Sequence, residues 1–270
     1  MDYGLCLEMV FTDRPFAQRI ALAAEAGFRF AEFWFVDRLL DDSVPVNSTD
    51  GVRALRKAAD HAAVTLTNTV VGSPDGSLGG GLVQPAHRQT WLDRVRMTLQ
   101  FNQAAGIPAT IVCTGNVVEA MAPDEMQASV LDGLKATADL AEQYGVTLLL
   151  EPLNTRVDHP GYFLTGSDAG ADLCRAVGSD RLRLLYDCYH MQIMEGDLTA
   201  HVRRNLDVIG HFHSAGVPGR HELFNGEVDY PFLTGQIEDM GYEGVFGLEY
   251  APSMDDMQSL KRTLQHLGVA

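Results

Sequence analysis

Residues 141–151 read AEQYGVTLLLE. A helical stretch ends at Gly145, an apolar run follows, and the run ends on a carboxylate, Glu151. Gly suits the left-handed position that closes a helix. A continuous apolar run of this length reads as a parallel strand covered on both faces. The unit recurs on both sides. Ala24-Glu25-Ala26-Gly27 precedes residues 28–35, and Ala104-Ala105-Gly106 precedes 109–113. Ala176-Val177-Gly178 precedes 182–186, and Asp239-Met240-Gly241 precedes 245–250.

The intervening segments carry the helical period. In Pro123–Tyr144, Met126, Val130, Leu134, Ala138 and Ala141 recur at three or four, with Pro123 near the first turn. Arg88–Ala105 places Leu92, Val95 and Leu99 likewise, and Phe16, Ile20 and Ala24 follow a cap region at Thr12-Asp13. Eight strands are expected, at residues 4–10, 29–34, 65–71, 109–113, 146–150, 182–186, 211–214 and 245–249. Eight strands alternating with helices predict one (β/α)8 TIM barrel, a single α/β domain over residues 1–270. The competitor is a doubly wound open sheet. It is disfavoured because no G-x-G-x-x-G follows the first strand and no linker divides the chain. Residues 73–81, SPDGSLGGG, follow the third strand as a βα loop; a lid and a tolerated surface loop are equal readings of it.

Acidic residues number 36 and basic ones 20, a formal charge of -16. Binding to nucleic acid or an anionic membrane needs clustered Lys and Arg, so neither partner is expected. Cys6, Cys113, Cys174 and Cys188 form no C-x-x-C pair. No signal peptide is visible at the N-terminus, and no run reaches the ~18 apolar residues that span a bilayer. A soluble, cytoplasmic protein is expected.

In a barrel, chemistry sits at the C-terminal ends of strands. Four strands of the second half deliver one candidate each: Glu151, Asp187, His213 and Glu249, with His190 three residues after Asp187. Three carboxylates and one imidazole suit a hard or borderline divalent ion, Mn²⁺, Mg²⁺ or Co²⁺, rather than a thiolate zinc site. Each residue alone has a plainer reading: Asp187, for instance, could simply cap the next helix. His61, His201 and His266 fall in helical patterns and His159 lies near a loop. His211 alternates with His213 and is expected on the opposite face of its strand. His221 sits in a loop after the seventh strand, facing either substrate or solvent. Phe11, Trp34 and Phe35, at the ends of the first two strands, offer an apolar wall or ordinary packing. No G-x-S-x-G, P-loop or H-E-x-x-H occurs.

Several long, ordered stretches now point to a family: MVFTDRPFAQRIALAAEAGF (9–28), EPLNTRVDHPGYFL (151–164), YDCYHMQIMEGDL (186–198), VPGRHELFNGEVDYPFL (217–233) and GLEY (247–250). Over nearly its whole length the chain resembles the xylose-isomerase-like TIM-barrel superfamily. Within it, the chain is similar to the hydroxypyruvate isomerase group and its ketose 3-epimerase relatives. The resemblance implies that Glu151, Asp187, His213 and Glu249 are metal ligands and that Glu151 and Glu249 are also the acid/base pair. It implies that His190 and Arg220 hold substrate oxygens. Hydroxypyruvate isomerases often carry Gln where His213 stands and the 3-epimerases His, whereas YDCYHMQIMEGDL leans to the former. The implied activity is isomerisation of a sugar acid such as hydroxypyruvate, to tartronate semialdehyde, through a metal-stabilised enediolate. The alternative is a ketose 3-epimerase using the same residues. The DNA-cleaving relatives build a three-metal site with more histidines, which this chain lacks at its strand ends. A binding-only barrel would tolerate loss of one proton-transfer Glu, and none is missing. A lyase or dehydratase on a sugar acid would use the same residues. Barrels of this kind are often oligomeric, and a homo-oligomer stays open.

Overall fold

The computed structural model describes residues 1–41, 43–72 and 81–269. Its strands are β1 (Asp2–Cys6), β2 (Phe30–Glu32), β3 (Thr65–Leu66), β4 (Asn68–Val70), β5 (Ala109–Val112), β6 (Thr147–Leu150), β7 (Leu182–Asp187), β8 (Ile209–Ser214) and β9 (Val245–Leu248). Every pairing is parallel. The order is β3-β2-β1-β9-β8-β7-β6-β5-β4. Its two ends, β3 and β4, are consecutive in the chain and flank Thr67. They are two pieces of the expected third strand. The ladder to β2 runs on through both, from Thr67 N to Ala31 O at 2.9 Å and from Val70 N to Trp34 O at 2.7 Å. The sheet therefore closes on itself, as the (β/α)8 reading requires.

The helices are α1 (Phe16–Ala26), α2 (Thr49–Ala62), α3 (Arg88–Ala105), α4 (Pro123–Tyr144), α5 (Ser167–Val177), α6 (Cys188–Met194), α7 (Leu198–Asn205), α8 (Tyr230–Asp239) and α9 (Asp256–His266). The five glycines placed after helices by the sequence pattern, Gly27, Gly106, Gly145, Gly178 and Gly241, all have positive φ. In α4 the five periodic residues are buried against the sheet. In α1 the inward set is Phe16, Ile20 and Ala23 rather than Ala24. That helix starts later than its expected cap: Pro15 precedes it with no side-chain capping bond. Strand β1 also begins and ends before the expected 4–10.

Most of the core lies between sheet and helices. Inside the barrel, Ile111, Leu149 and Leu185 form a small apolar plug. Among the described residues no helix is long and apolar enough to cross a membrane. The loop reading for 73–81 falls, except for Gly81, outside the described residues.

Candidate active site

Glu151 follows β6, Asp187 closes β7, His213 lies near the end of β8, and Glu249 follows β9. Side chains two apart share a strand face. Leu149 and Leu185, in the plug, therefore set Glu151 and Asp187 pointing inward at the C-terminal rim. All four candidates are buried. One ligand atom of each lies within 4.8 Å of the others. His213 Nδ1 is 3.5 Å from Glu249 Oε2 and 3.7 Å from Glu151 Oε1.

Electrostatics single out this group. Burial opposes ionisation of Glu249, but His213 and Arg220 beside it hold its carboxyl well below the usual range. Burial and the charge of Glu249 push Asp187 up. Burial would lower His213, yet Glu32 and Glu249 carry it well above the ordinary imidazole value. Three buried carboxylates thus crowd together, and His213 Nδ1 is buried beside them with no hydrogen-bond partner. This donor set fits a divalent cation. An ion among the carboxylates would relieve the repulsion felt by Asp187, and it would give Nδ1 a partner.

The surrounding residues are ordered in detail. Asp187 Oδ1 accepts from Tyr189 N at 2.7 Å and His190 N at 3.2 Å and so caps α6. Its Oδ2 lies 3.6 Å from His190 Nε2. His190 Nδ1 faces the Asn154 amide groups, N at 3.3 Å and Nδ2 at 2.7 Å. Asn154 Oδ1 already accepts from Val157 N and Asp158 N, so its NH₂ must face His190. Nδ1 is then the acceptor and Nε2 carries the proton. Burial lowers His190 to about 4, so it is neutral at pH 7.

Arg220 Nη2 donates to Glu249 Oε2 at 2.6 Å, and Trp34 Nε1 donates to Oε1 at 2.8 Å. The Arg220 guanidinium lies 5.2 Å from the centre of the Tyr189 ring, and Tyr189 is held by Asp158. Arg220 has φ 58°, a left-handed backbone uncommon outside glycine, and Ala251 N bonds its carbonyl at 2.9 Å. A cavity of about 170 Å³ brings these groups together, lined by Glu151, Glu249, His190, His159 and Arg220 on its polar side. Trp34, Phe35, Val70, Ile111 and Leu153 wall the other side.

The structure corrects one expectation and adds residues. His211 and His213 share the inner face, with ring centres 5.0 Å apart, because a period of two returns each side chain to the same side. Of the three aromatics, Phe11 takes the packing reading, buried in the core with its backbone N–H on Asp256, while Trp34 and Phe35 line the cavity. His159 lines the cavity and packs on His190 at 5.4 Å. Asn154 and Glu32 were not singled out by sequence. Asn154 follows the strand-end Glu by three residues, where a loop bends back into the site. Glu32 is a lone carboxylate in the apolar run FRFAEFWF, which is a readable signal.

A family model described as xylose isomerase-like TIM barrel matches residues 20–267. The chain belongs to this family. It is 33% identical over 262 residues to a 2-oxo-tetronate isomerase of Cupriavidus necator, covering 97% of each chain. It is 31% identical to a hydroxypyruvate isomerase of Escherichia coli, covering 93% of this chain and 94% of that one. A solved structure described as an AP endonuclease of family 2, from Brucella melitensis, superposes with a TM-score of 0.87 at 28% identity over 98% of this chain and 99% of that one. With such relatives over its full length, this member of the family is an enzyme, an isomerase by class.

Proposed function

We propose that this enzyme isomerises a small 2-keto acid of the hydroxypyruvate or 2-oxo-tetronate kind, moving a proton between adjacent carbons through an enediolate. The observation that carries the acid substrate is Arg220. It is the single Lys or Arg among the described cavity-lining residues, and its Nε is buried without an acceptor. A substrate carboxylate supplies that acceptor. The curated relatives named above support the same substrate class.

Glu151, Asp187, His213 and Glu249 would hold a divalent ion, Mn²⁺, Mg²⁺ or Co²⁺. When bound, the ion supplies Lewis-acid polarisation of the substrate carbonyl. The chain's own groups handle the protons. Glu249, kept ionised by His213 and Arg220, and Glu151, three strands away along the sheet, form the acid/base pair. For hydroxypyruvate, one carboxylate takes a proton from C3 and a carboxyl returns one to C2. The C3 hydroxyl proton passes to the C2 oxygen as the carbonyl moves from C2 to C3, giving tartronate semialdehyde. His190, with Nε2–H fixed by Asn154, donates to a substrate oxygen. Trp34, Phe35 and Leu153 keep water from the enediolate. The four cysteines are free thiols, in keeping with a reducing cytoplasm.

The test is a panel of 2-keto acids and ketoses in D₂O, with deuterium uptake read by NMR. The parent should exchange the C3 protons of a 2-keto acid. Glu151→Gln and Glu249→Gln should each lose roughly 10²- to 10⁴-fold in exchange while keeping the fold. Near-full exchange in either variant removes that residue from the pair. Exchange confined to C3 of a ketose would make the enzyme a 3-epimerase working with the same two carboxylates.

A further inference from the structure

One buried carboxylate takes no part in this chemistry. Glu32, on β2, is 1% exposed and lies inside the barrel beneath the rim. Its Oε2 accepts from Asn68 Nδ2 at 2.5 Å and contacts His211 Nε2 at 2.9 Å. The carboxylate plane is thereby fixed from two strands. Its Oε1 lies 2.8 Å from His213 Nε2, an ion-pair contact that lacks hydrogen-bond alignment, and neither atom has a hydrogen-bond partner. The opposite nitrogen of the same ring, Nδ1, faces Glu151 and Glu249.

Gly247 on β9 makes this arrangement sterically feasible. A Cβ there would sit 2.7 Å from Glu32 Oε1 and 2.8 Å from His213 Cδ2. The backbone of β9 is thus cut away where the carboxylate meets the imidazole. Residues from β2, β4, β8 and β9 converge on one geometric outcome, the orientation of a single ring.

We propose that Glu32 is the positioning residue of the site. It keeps the His213 proton on Nε2 and aims the Nδ1 lone pair at the three rim carboxylates, with Asn68 and His211 holding Glu32 itself in place. A carboxylate on the far nitrogen fixes both the tautomer and the angle of a ligating imidazole. The inference rests on the reading that Glu151, Asp187, His213 and Glu249 hold a divalent ion. Glu32, His211 and His213 could alternatively ligate a second ion themselves. The donors that Asn68 Nδ2 and His211 Nε2 both turn on Glu32 Oε2 argue for a hydrogen-bonded cluster instead.

The experiment is Mn²⁺ titration of the full-length, chelator-stripped protein, read by calorimetry for affinity and stoichiometry, beside thermal melting of the same metal-free samples. The parent should bind one ion per chain, and Asp187→Asn should abolish binding. Glu32→Gln should weaken binding roughly 10- to 100-fold, well beyond any change in melting. Asn68→Ala keeps the Glu32 charge but frees its carboxylate, and it should weaken binding in the same direction. It also decides the matter if Glu32→Gln fails to fold. Affinity within about twofold of the parent in the folded variants would overturn the proposal and leave Glu32 a packing residue. Two ions per chain, one of them lost in Glu32→Gln, would also overturn it, since Glu32 would then be a ligand. No stoichiometric binding by the parent would overturn the ion reading itself, and the positioning role with it.

Discussion

Substituting Gly247 by Ala tests the barrel interior with one methyl group. The added Cβ would stand 2.7 Å from Glu32 Oε1, 2.8 Å from His213 Cδ2 and 3.0 Å from Phe212 O. Ordinary contact begins near 3.4 Å, so Glu32 or β9 must give way by about 0.7 Å. Neither yields easily: Glu32 is held by Asn68 and His211, and β9 is paired on both sides. Overpacking of a close-packed interior costs ~1–3 kcal/mol. For a chain of this size that lowers Tm by roughly 2–10 °C. The displacement falls on His213, a proposed ligand. Misplacing a site group by about 1 Å can cost 10²-fold in rate, so turnover should fall roughly 10- to 100-fold. Gly235 in α8 is the control. A Cβ there meets nothing within 4 Å, and Gly→Ala inside a helix gains ~0.5–1 kcal/mol. Melting curves and initial rates on both variants decide the matter. Gly247→Ala melting within about 1 °C of the parent with full turnover would show that the interior has slack, and would refute the close-packing argument.

Arg220→Met removes the cavity's cation. The lost contact to Glu249 should cost activity on every substrate, but a charge-assisted hydrogen bond to a carboxylate is worth about 2 kcal/mol, so kcat/KM for a 2-keto acid should fall roughly 30-fold further than for a neutral ketose; equal losses on both substrates would refute carboxylate recognition. Exhaustive chelation should remove activity and added Mn²⁺ or Mg²⁺ restore it, and turnover indifferent to metal removal would exclude the ion from the mechanism. Glu222 is buried and accepts from Ser253 N, Ser253 Oγ and Ser259 Oγ. Burial opposes its charge, but these bonds hold it below the usual carboxylate range. A group with a depressed folded-state pKa stabilises fully above its unfolded value and loses that contribution as pH falls through the folded one. Glu222→Gln should therefore lower Tm at pH 7 and flatten the loss of Tm on acidification below about pH 4.5; a parallel acid limb in parent and variant would refute this.

The rim of this barrel is legible because strand direction and a period of two are local properties. An apolar run that begins after a helix-closing glycine must end at the functional face, so Glu151, Asp187 and Glu249 can be placed without knowing their neighbours. Asp187 shows why one plain reading need not exclude another. Its Oδ1 caps α6 while its Oδ2 turns to the site, so the helix cap is what aims the ligand. The break at Thr67 left no mark in the apolar pattern, because it is a slip of one residue in the hydrogen bonding: Thr67 N meets Ala31 O, but Phe33 N then meets Asn68 O. The layer beneath the rim is a different matter. Glu32 meets His211 across 179 residues of sequence, and Asn68 meets the same ring across 143. No local period links residues so far apart. What the sequence does carry there is an anomaly, a lone carboxylate in an aromatic strand and a glycine inside an apolar one. In a closed barrel such exceptions face one another across the interior. An ionisable residue in a strand that should be wholly apolar is therefore best paired first with the small residue that makes room for it, here Glu32 with Gly247.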